Sequence, residues 1–89
     1  MKASPDVRFT STPDGGVLLD LRSDRFFTLN QTGARLWSLF LEGRPRPDIV
    51  RSLAWHTGVE QATAAADVEE FVAELVVRNL LQREEENPR

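Results

Sequence analysis

The sequence predicts an α+β domain in which a three-stranded antiparallel sheet is followed by three helices. Before residue 30, apolar and polar residues alternate, as they do along strands, and after it the apolar residues recur at helical spacing. The chain has 89 residues, of which 40% are hydrophobic and 28% are charged, and this balance is typical of one small globular domain. We expect an N-terminal tail over residues 1–5, a folded domain over residues 6–82 and an acidic tail over residues 83–89.

Three strands are predicted in the first third of the chain. Residues 7–10 alternate in polarity, and the turn-forming sequence of residues 13–16 follows them. A second strand is predicted over residues 17–22. Residues 23–24 then form a two-residue connection to a third strand over residues 25–29, so the pairing is antiparallel. The third strand of such a meander lies at an edge of its sheet.

The remaining elements are predicted to be helices. The periodicity changes at Asn30, and either Asn30 or Thr32 can cap the first helix. A short second helix is predicted over residues 48–57, with Gly58 closing it. From about Glu60 the pattern is helical for about twenty residues. The resulting order, β-β-β-α-α-α, resembles a winged helix-turn-helix domain.

Composition argues against several classes of function. The chain has no cysteine and no tyrosine and a single histidine, so neither a catalytic constellation nor a metal site is expected, and no cofactor is implied. Secreted domains of this size usually carry disulfides, so we expect a cytoplasmic protein. No apolar run reaches the ~18 residues of a membrane span, and no membrane contact is expected.

Several segments, in order, resemble the PqqD-like family, also called RiPP recognition elements (RiPPs are ribosomally synthesised, post-translationally modified peptides). They are the strand Leu18-Leu19-Asp20-Leu21, the segment Phe27-Thr28-Leu29-Asn30-Gln31-Thr32-Gly33, the pair Leu36-Trp37, the apolar pattern of the last helix, and Leu80-Leu81. The resemblance extends from about Asp6 to Leu81. Asn79 stands where the family usually has glycine. Because asparagine also tolerates the left-handed conformation that ends a helix, we expect the geometry to be retained.

The resemblance implies a non-catalytic module that binds the leader segment of a ribosomal precursor peptide. A free-standing copy is similar to the version found in lasso-peptide clusters. There, the module holds the leader for a separate transglutaminase-like cysteine protease, and an asparagine-synthetase-like cyclase closes the ring. Stand-alone members also serve a radical S-adenosylmethionine enzyme in pyrroloquinoline quinone biosynthesis. The sequence leaves these two pathways open.

The candidate peptide site combines the third strand with the last helix. An edge strand offers unpaired N–H and C=O groups, along which a peptide can add as a fourth, antiparallel strand. The apolar arc of the last helix spans about 140°, more than the ~100° that one core contact requires. The surplus lies on either the Phe71 flank or the Val72–Val76 flank and would form the wall of a groove. Core packing is the alternative for Phe26, Phe27, Val68, Phe71 and Leu75, and a favourable charge near the start of the helix is the alternative for Asp67. The predicted peptide-binding residues are Arg25, Phe26, Phe27, Thr28, Leu29, Asp67, Val68, Phe71, Val72, Leu75 and Val76.

A winged-helix DNA-binding protein is the alternative from a different functional class. In such a protein the late helix enters the major groove and needs basic or amide side chains. Here the last helix carries Asp67, Glu69, Glu70 and Glu74 before its first basic residue, Arg78, and the net charge of the chain is −3. These carboxylates would be repelled by phosphates, so no nucleic-acid partner is expected.

Overall fold

The fold was analysed in a computed structural model that describes residues 2–82. Its elements are β1 (Lys2–Ala3), β2 (Val7–Thr12), β3 (Gly15–Asp20), β4 (Arg25–Asn30), α1 (Gln31–Leu41), α2 (Arg46–Thr57), α3 (Gln61–Val77) and β5 (Leu81–Gln82). Strands β2, β3 and β4 form an antiparallel sheet in that order, and the three helices follow. The predicted α+β order is therefore confirmed, with β4 at an edge.

The N-terminal residues are ordered by a strand pair that the sequence did not predict. β1 pairs antiparallel with β5, and the backbone N–H of Ser4 donates to the carbonyl of Leu80 at 3.1 Å. Leu80 and Leu81 are buried, so the backbone beside them needs hydrogen-bond partners from elsewhere in the chain. The prediction of a tail was wrong for residues 2–5. The predicted acidic tail, residues 83–89, lies outside the described residues, and the rest of the domain division stays a prediction.

The connection between β3 and β4 is longer than predicted. β3 ends at Asp20 and β4 begins at Arg25, which leaves four residues between them instead of two. The Asp20 carboxylate accepts hydrogen bonds from the Ser23 hydroxyl at 2.9 Å and the Arg22 backbone N–H at 3.0 Å, and these turn the chain out of the strand. Both bonds favour the charged carboxylate, and they lower the pKa of Asp20 below its usual value.

Two glycines of the predicted first turn lie instead within β3. The turn itself is the pair between β2 and β3, residues 13–14. Gly15 has φ of +145°, and a Cβ atom there would lie 2.2 Å from the carbonyl oxygen of Leu29 on β4. A Cβ atom on Gly16 would lie 2.3 Å from the ring of Phe9 on β2. The missing side chains therefore let both neighbouring strands approach β3 closely.

The helix ends follow local sequence signals. Asn30 is the N-cap of α1, and its side-chain oxygen accepts a hydrogen bond from the Gly33 N–H at 2.8 Å. α2 begins two residues before its predicted start, with Pro47 in its first turn. Proline is tolerated there because backbone N–H groups of the first turn have no hydrogen-bond partner within the helix. Gly58 caps α2 with φ of 76°. Asn79 has φ of 63°, which confirms the left-handed conformation predicted in place of the family glycine.

The core consists of two clusters that meet along α3. One cluster lies under the sheet and contains Val7, Leu18, Leu29, Trp37, Leu75, Leu80 and Leu81. The other lies among the helices and contains Leu36, Phe40, Ile49, Leu53, Ala64, Val68 and Val72. Phe71 and Val76 pack against both clusters. α3 is thereby fixed alongside β4. None of the helices within residues 2–82 is long and apolar enough to span a membrane.

Candidate functional site

Strand β4 presents different side chains to the two faces of the sheet. Successive side chains of a strand point to opposite faces, so Arg25, Phe27 and Leu29 lie on one face and Phe26 and Thr28 on the other. Leu29 is buried under the helices and Phe27 is half-buried there, whereas 70% of Phe26 is exposed. The side chain of Phe26 is therefore directed away from the helices, although its backbone belongs to the free edge.

A cavity of about 350 Å³ lies beside the C-terminal half of β4. Its apolar lining comes from the sheet, all three helices and the connection between α2 and α3: Phe27, Leu29, Leu36, Leu53, Val59, Phe71 and Leu75. The N-terminus of α1 closes one side, where a Cβ atom on Gly33 would lie 3.4 Å from the Phe71 ring. Apolar walls next to an unpaired strand edge provide both contacts that bind an extended peptide, namely side-chain pockets and backbone hydrogen bonds.

The wall that α3 contributes is the Phe71 flank. The Phe71 ring is stacked on Phe40, with centroids 6.4 Å apart, and remains half-buried beside the cavity. Val68 and Val72 have no exposed surface, and Val76 is half-buried against the core clusters. None of these three valines lines the cavity, so their placement in the groove wall is corrected to the core. The reason is that α2 packs on the side of α3 that carries them.

A second cavity, of about 540 Å³, lies beside the N-terminal half of β4. Its lining includes Arg22, Arg25, Phe27, Arg78 and Leu80. Phe27 borders both cavities, and we call the two cavities together the β4 groove. The sequence predicted the Arg25 and Phe27 positions but missed Arg78.

Arg78 lies over the ring of Phe27, the residue that borders both cavities. Its guanidinium carbon lies 4.8 Å from the centroid of the Phe27 ring, a cation–π contact. One of its nitrogens lies 3.0 Å from a carboxylate oxygen of Glu74, one turn earlier on α3. Three- and four-residue spacings place four side chains on one face of α3: Asp67, Phe71, Glu74 and Arg78. This spacing is the sequence feature from which Arg78 could have been predicted as a groove residue.

The predicted site residues divide into two groups. Those that line the β4 groove are Arg25, Phe26, Phe27, Thr28, Leu29, Asp67, Phe71 and Leu75, with Phe26 and Thr28 mainly through the strand edge. Val68, Val72 and Val76 lie in or against the core without lining the groove, whereas Leu29 and Leu75 belong to the core and also line the groove. Groove residues that the sequence did not indicate include Leu36, Leu53, Glu74 and Arg78. Across residues 2–82, no three histidine, cysteine, aspartate or glutamate side chains are grouped closely enough to hold a metal ion.

Comparisons with solved structures give two close matches in fold. One is TbiB1 in complex with the TbiA(beta) leader peptide, which is 31% identical, has a TM-score of 0.86 and covers 97% of this chain and 100% of that chain. The other is lasso peptide synthetase B1 complexed with the leader peptide, at 28% identity and a TM-score of 0.86, covering 92% of this chain and 96% of that chain. No curated protein matches this chain at the sequence level.

The family comparison agrees with the resemblance found in the sequence. The model of the family described as coenzyme PQQ synthesis protein D (PqqD) matches residues 15–81. The matched span contains β3, β4, all three helices and every residue named above as lining the β4 groove. With most of its length matched, the chain belongs to the PqqD family.

Proposed function

We propose that this protein binds the leader segment of a ribosomal precursor peptide in lasso-peptide biosynthesis, by strand addition to β4. The observation that carries the proposal is the free edge of β4 beside an apolar groove, in a fold shared with two proteins solved as leader-peptide complexes. The leader adds as a fourth strand, antiparallel to β4. Its alternate side chains enter the cavities on either side of Phe27.

Strand addition at this site gives useful affinity without a large interface. Four or five backbone hydrogen bonds contribute about 0.5–1.5 kcal/mol each, and two buried side chains add about 1.5–3 kcal/mol each. Ordering a flexible leader and losing its translational freedom cost at least several kcal/mol. The balance corresponds to a micromolar to submicromolar dissociation constant. Because backbone pairing is blind to sequence, specificity rests on the groove side chains.

In this proposal the protein delivers the bound precursor peptide to a processing enzyme and catalyses no step itself. The groove lining offers phenylalanine and leucine side chains, backbone groups and a few charges, but neither histidine nor cysteine. The chemistry is then performed by a separate transglutaminase-like cysteine protease, and the cyclase acts after it. A leader held as an extended strand leaves the peptide that follows it free to enter such an enzyme.

A second candidate is favoured by the family description, which names coenzyme PQQ synthesis. In that pathway the same groove would present a precursor peptide to a radical S-adenosylmethionine enzyme. The two candidates differ in the partner enzyme and in the peptide sequence, not in how the groove works. Pull-down of the purified chain with the lasso protease and with the radical enzyme distinguishes them.

The proposal is tested by titrating the full chain with the synthetic leader of its own precursor and, as a second probe, the TbiA(beta) leader. We expect a dissociation constant below about 100 μM for the first, with amide chemical-shift changes concentrated at residues 25–30 and 67–78. No binding at about 100 μM by folded protein would overturn the proposal. Shifts confined to residues 7–12 or 35–41 would contradict strand addition at β4.

A further inference from the structure

The two ends of the β4 groove carry opposite charges. At the end beside Leu29, the charged side chains that line the cavity are Asp67 and Glu74, both acidic. At the other end the lining contains three arginines: Arg22, Arg25 and Arg78. Asp20 also borders that end, so arginines outnumber carboxylates there by three to one. The groove is therefore negative at one end and positive at the other.

One charged side chain from each end of the groove is paired with the other. Glu74 and Arg78 form an ion pair with each other. Within residues 2–82, the side chains of Asp67 and Arg25 make no ion pair or hydrogen bond, and both residues are exposed. A peptide lying in the groove can therefore reach one unpaired negative charge, Asp67, and at the opposite end two arginines that form no ion pair within residues 2–82, Arg22 and Arg25.

The separation of these charges is matched by a short extended segment. α3 rises 1.5 Å per residue, so Asp67 lies about 16 Å along the helix from Arg78, which borders the same cavity as Arg25. An extended strand rises about 3.3 Å per residue, so about five residues cover this distance. Side chains that face the groove alternate along the strand, and charges about four or six residues apart therefore face the same side.

The direction of the peptide follows from the pairing. A strand antiparallel to β4 starts beside Asn30, at the Asp67 end, and finishes beside Arg25. We propose that the β4 groove selects segments in which a basic residue is followed, about four to six residues later, by an acidic one, and that Asp67 and Arg25 fix the direction of the bound peptide. This inference rests on the proposed function and specifies the class of peptide that the groove accepts.

The test is a displayed library of random extended peptides, sorted against the full wild-type chain. We expect the selected peptides to share the order basic then acidic at the stated spacing. Exchanging the two charges in a selected peptide should weaken its binding by about tenfold, since two exposed ion pairs become two repulsive contacts. The double variant Asp67→Lys/Arg25→Glu should prefer the exchanged peptide by a similar factor.

A matched double variant controls for net charge. Glu70→Lys/Arg8→Glu makes the same two charge changes outside the β4 groove, on α3 and on β2, and should retain the wild-type preference. Peptides selected without charge order, or with the acidic residue first, would overturn the inference while leaving peptide binding itself intact. Failure to select any peptide, together with no binding of the leader, would overturn the proposed function as well.

Discussion

The sheet has two edges, β2 and β4, and they differ in what lies beside them. Within residues 2–82 each pairs on one side only, with β3. Each also places a phenylalanine opposite Leu18 on the helix-facing side, Phe9 on β2 and Phe27 on β4. The cavity of about 410 Å³ between β2 and α1 is lined largely by polar and charged residues: Phe9, Ser11, Ala34, Arg35, Ser38, Leu39, Glu42 and Arg44. The cavity beside β4 has six phenylalanine and leucine side chains and Val59 in its lining, together with threonines, Asn30, Asp67 and Glu74.

This difference shows that an unpaired strand edge is not by itself a binding site. The backbone groups of β2 and β4 are chemically the same, and both could accept another strand. Around β2, serines, threonines and charged side chains keep water close and discourage pairing. Around β4, packing against α1 and α3 creates apolar pockets that bind peptides with matching side chains more tightly than others. Specificity therefore arises from the helices next to the strand.

The largest expected effect comes from the two glycines of β3, each of which faces one edge. Gly15→Ala places a Cβ atom against the β4 backbone at a positive φ and should cost about 3 kcal/mol of unfolding free energy or more, with loss of leader binding. Gly16→Ala meets mainly the Phe9 ring, a side chain that is 36% exposed, with the Thr10 carbonyl oxygen farther away at 3.2 Å, so we expect about 1 kcal/mol and retained binding. Urea unfolding and leader titration measure both. Equal costs, or equal binding, would contradict the distinction between the edges.

The next largest expected effect is on the affinity for the leader, which should depend on the β4 edge and not on the β2 edge. Phe27→Ala removes the side chain shared by both cavities of the β4 groove and should weaken leader binding about tenfold or more, or about 1.4 kcal/mol. Phe9→Ala removes the equivalent ring from β2 and should change affinity less than about twofold. Each variant loses about 1–3 kcal/mol of unfolding free energy, so the fold must be verified by circular dichroism. A similar loss of affinity for the two variants would show that the leader does not depend on β4.

The smallest effect concerns the turn that leads into β4. Hydrogen bonds from Ser23 and Arg22 lower the pKa of Asp20 in the folded state, whereas the unfolded chain has the ordinary value of about 3.9. The ionised carboxylate therefore stabilises the fold above about pH 4, and this contribution is lost as the pH falls through the lower folded-state pKa. We expect Asp20→Asn to melt at a lower temperature than wild type at pH 7 and to show a smaller difference near pH 2.

Asp14→Asn provides the control for this prediction, because it removes the same charge from the turn between β2 and β3. Its melting temperature should follow the wild-type curve across the same pH range. If Asp14→Asn and Asp20→Asn shift the curve equally, the effect belongs to net charge and not to the hydrogen bonds of Asp20.

The sequence by itself determined the order of the three sheet strands and the three helices, and several of their ends. Alternation in the first third, the cap at Asn30, and Gly58 and Asn79 at left-handed positions are local signals, and each acts within a few residues. The edge position of β4 also followed, because short connections make a meander. The length of the β3–β4 turn was not predicted, because residues 21–22 continue the alternating pattern of a strand. In the structure, the hydrogen bonds to Asp20 place these residues in a turn.

Only the tertiary structure decided which side chains line the groove. The width of the apolar arc on α3 indicates how much of the helix surface can be buried, but it does not indicate which element covers each part of that surface. α2 packs against Val68 and Val72, which therefore lie in the core, and the Phe71 flank of α3 faces β4. The pairing of β1 with β5 joins residues at opposite ends of the described chain, and two-residue strands carry no periodicity that could predict it. Contacts between distant segments depend on how whole elements pack, so local sequence patterns do not reveal them.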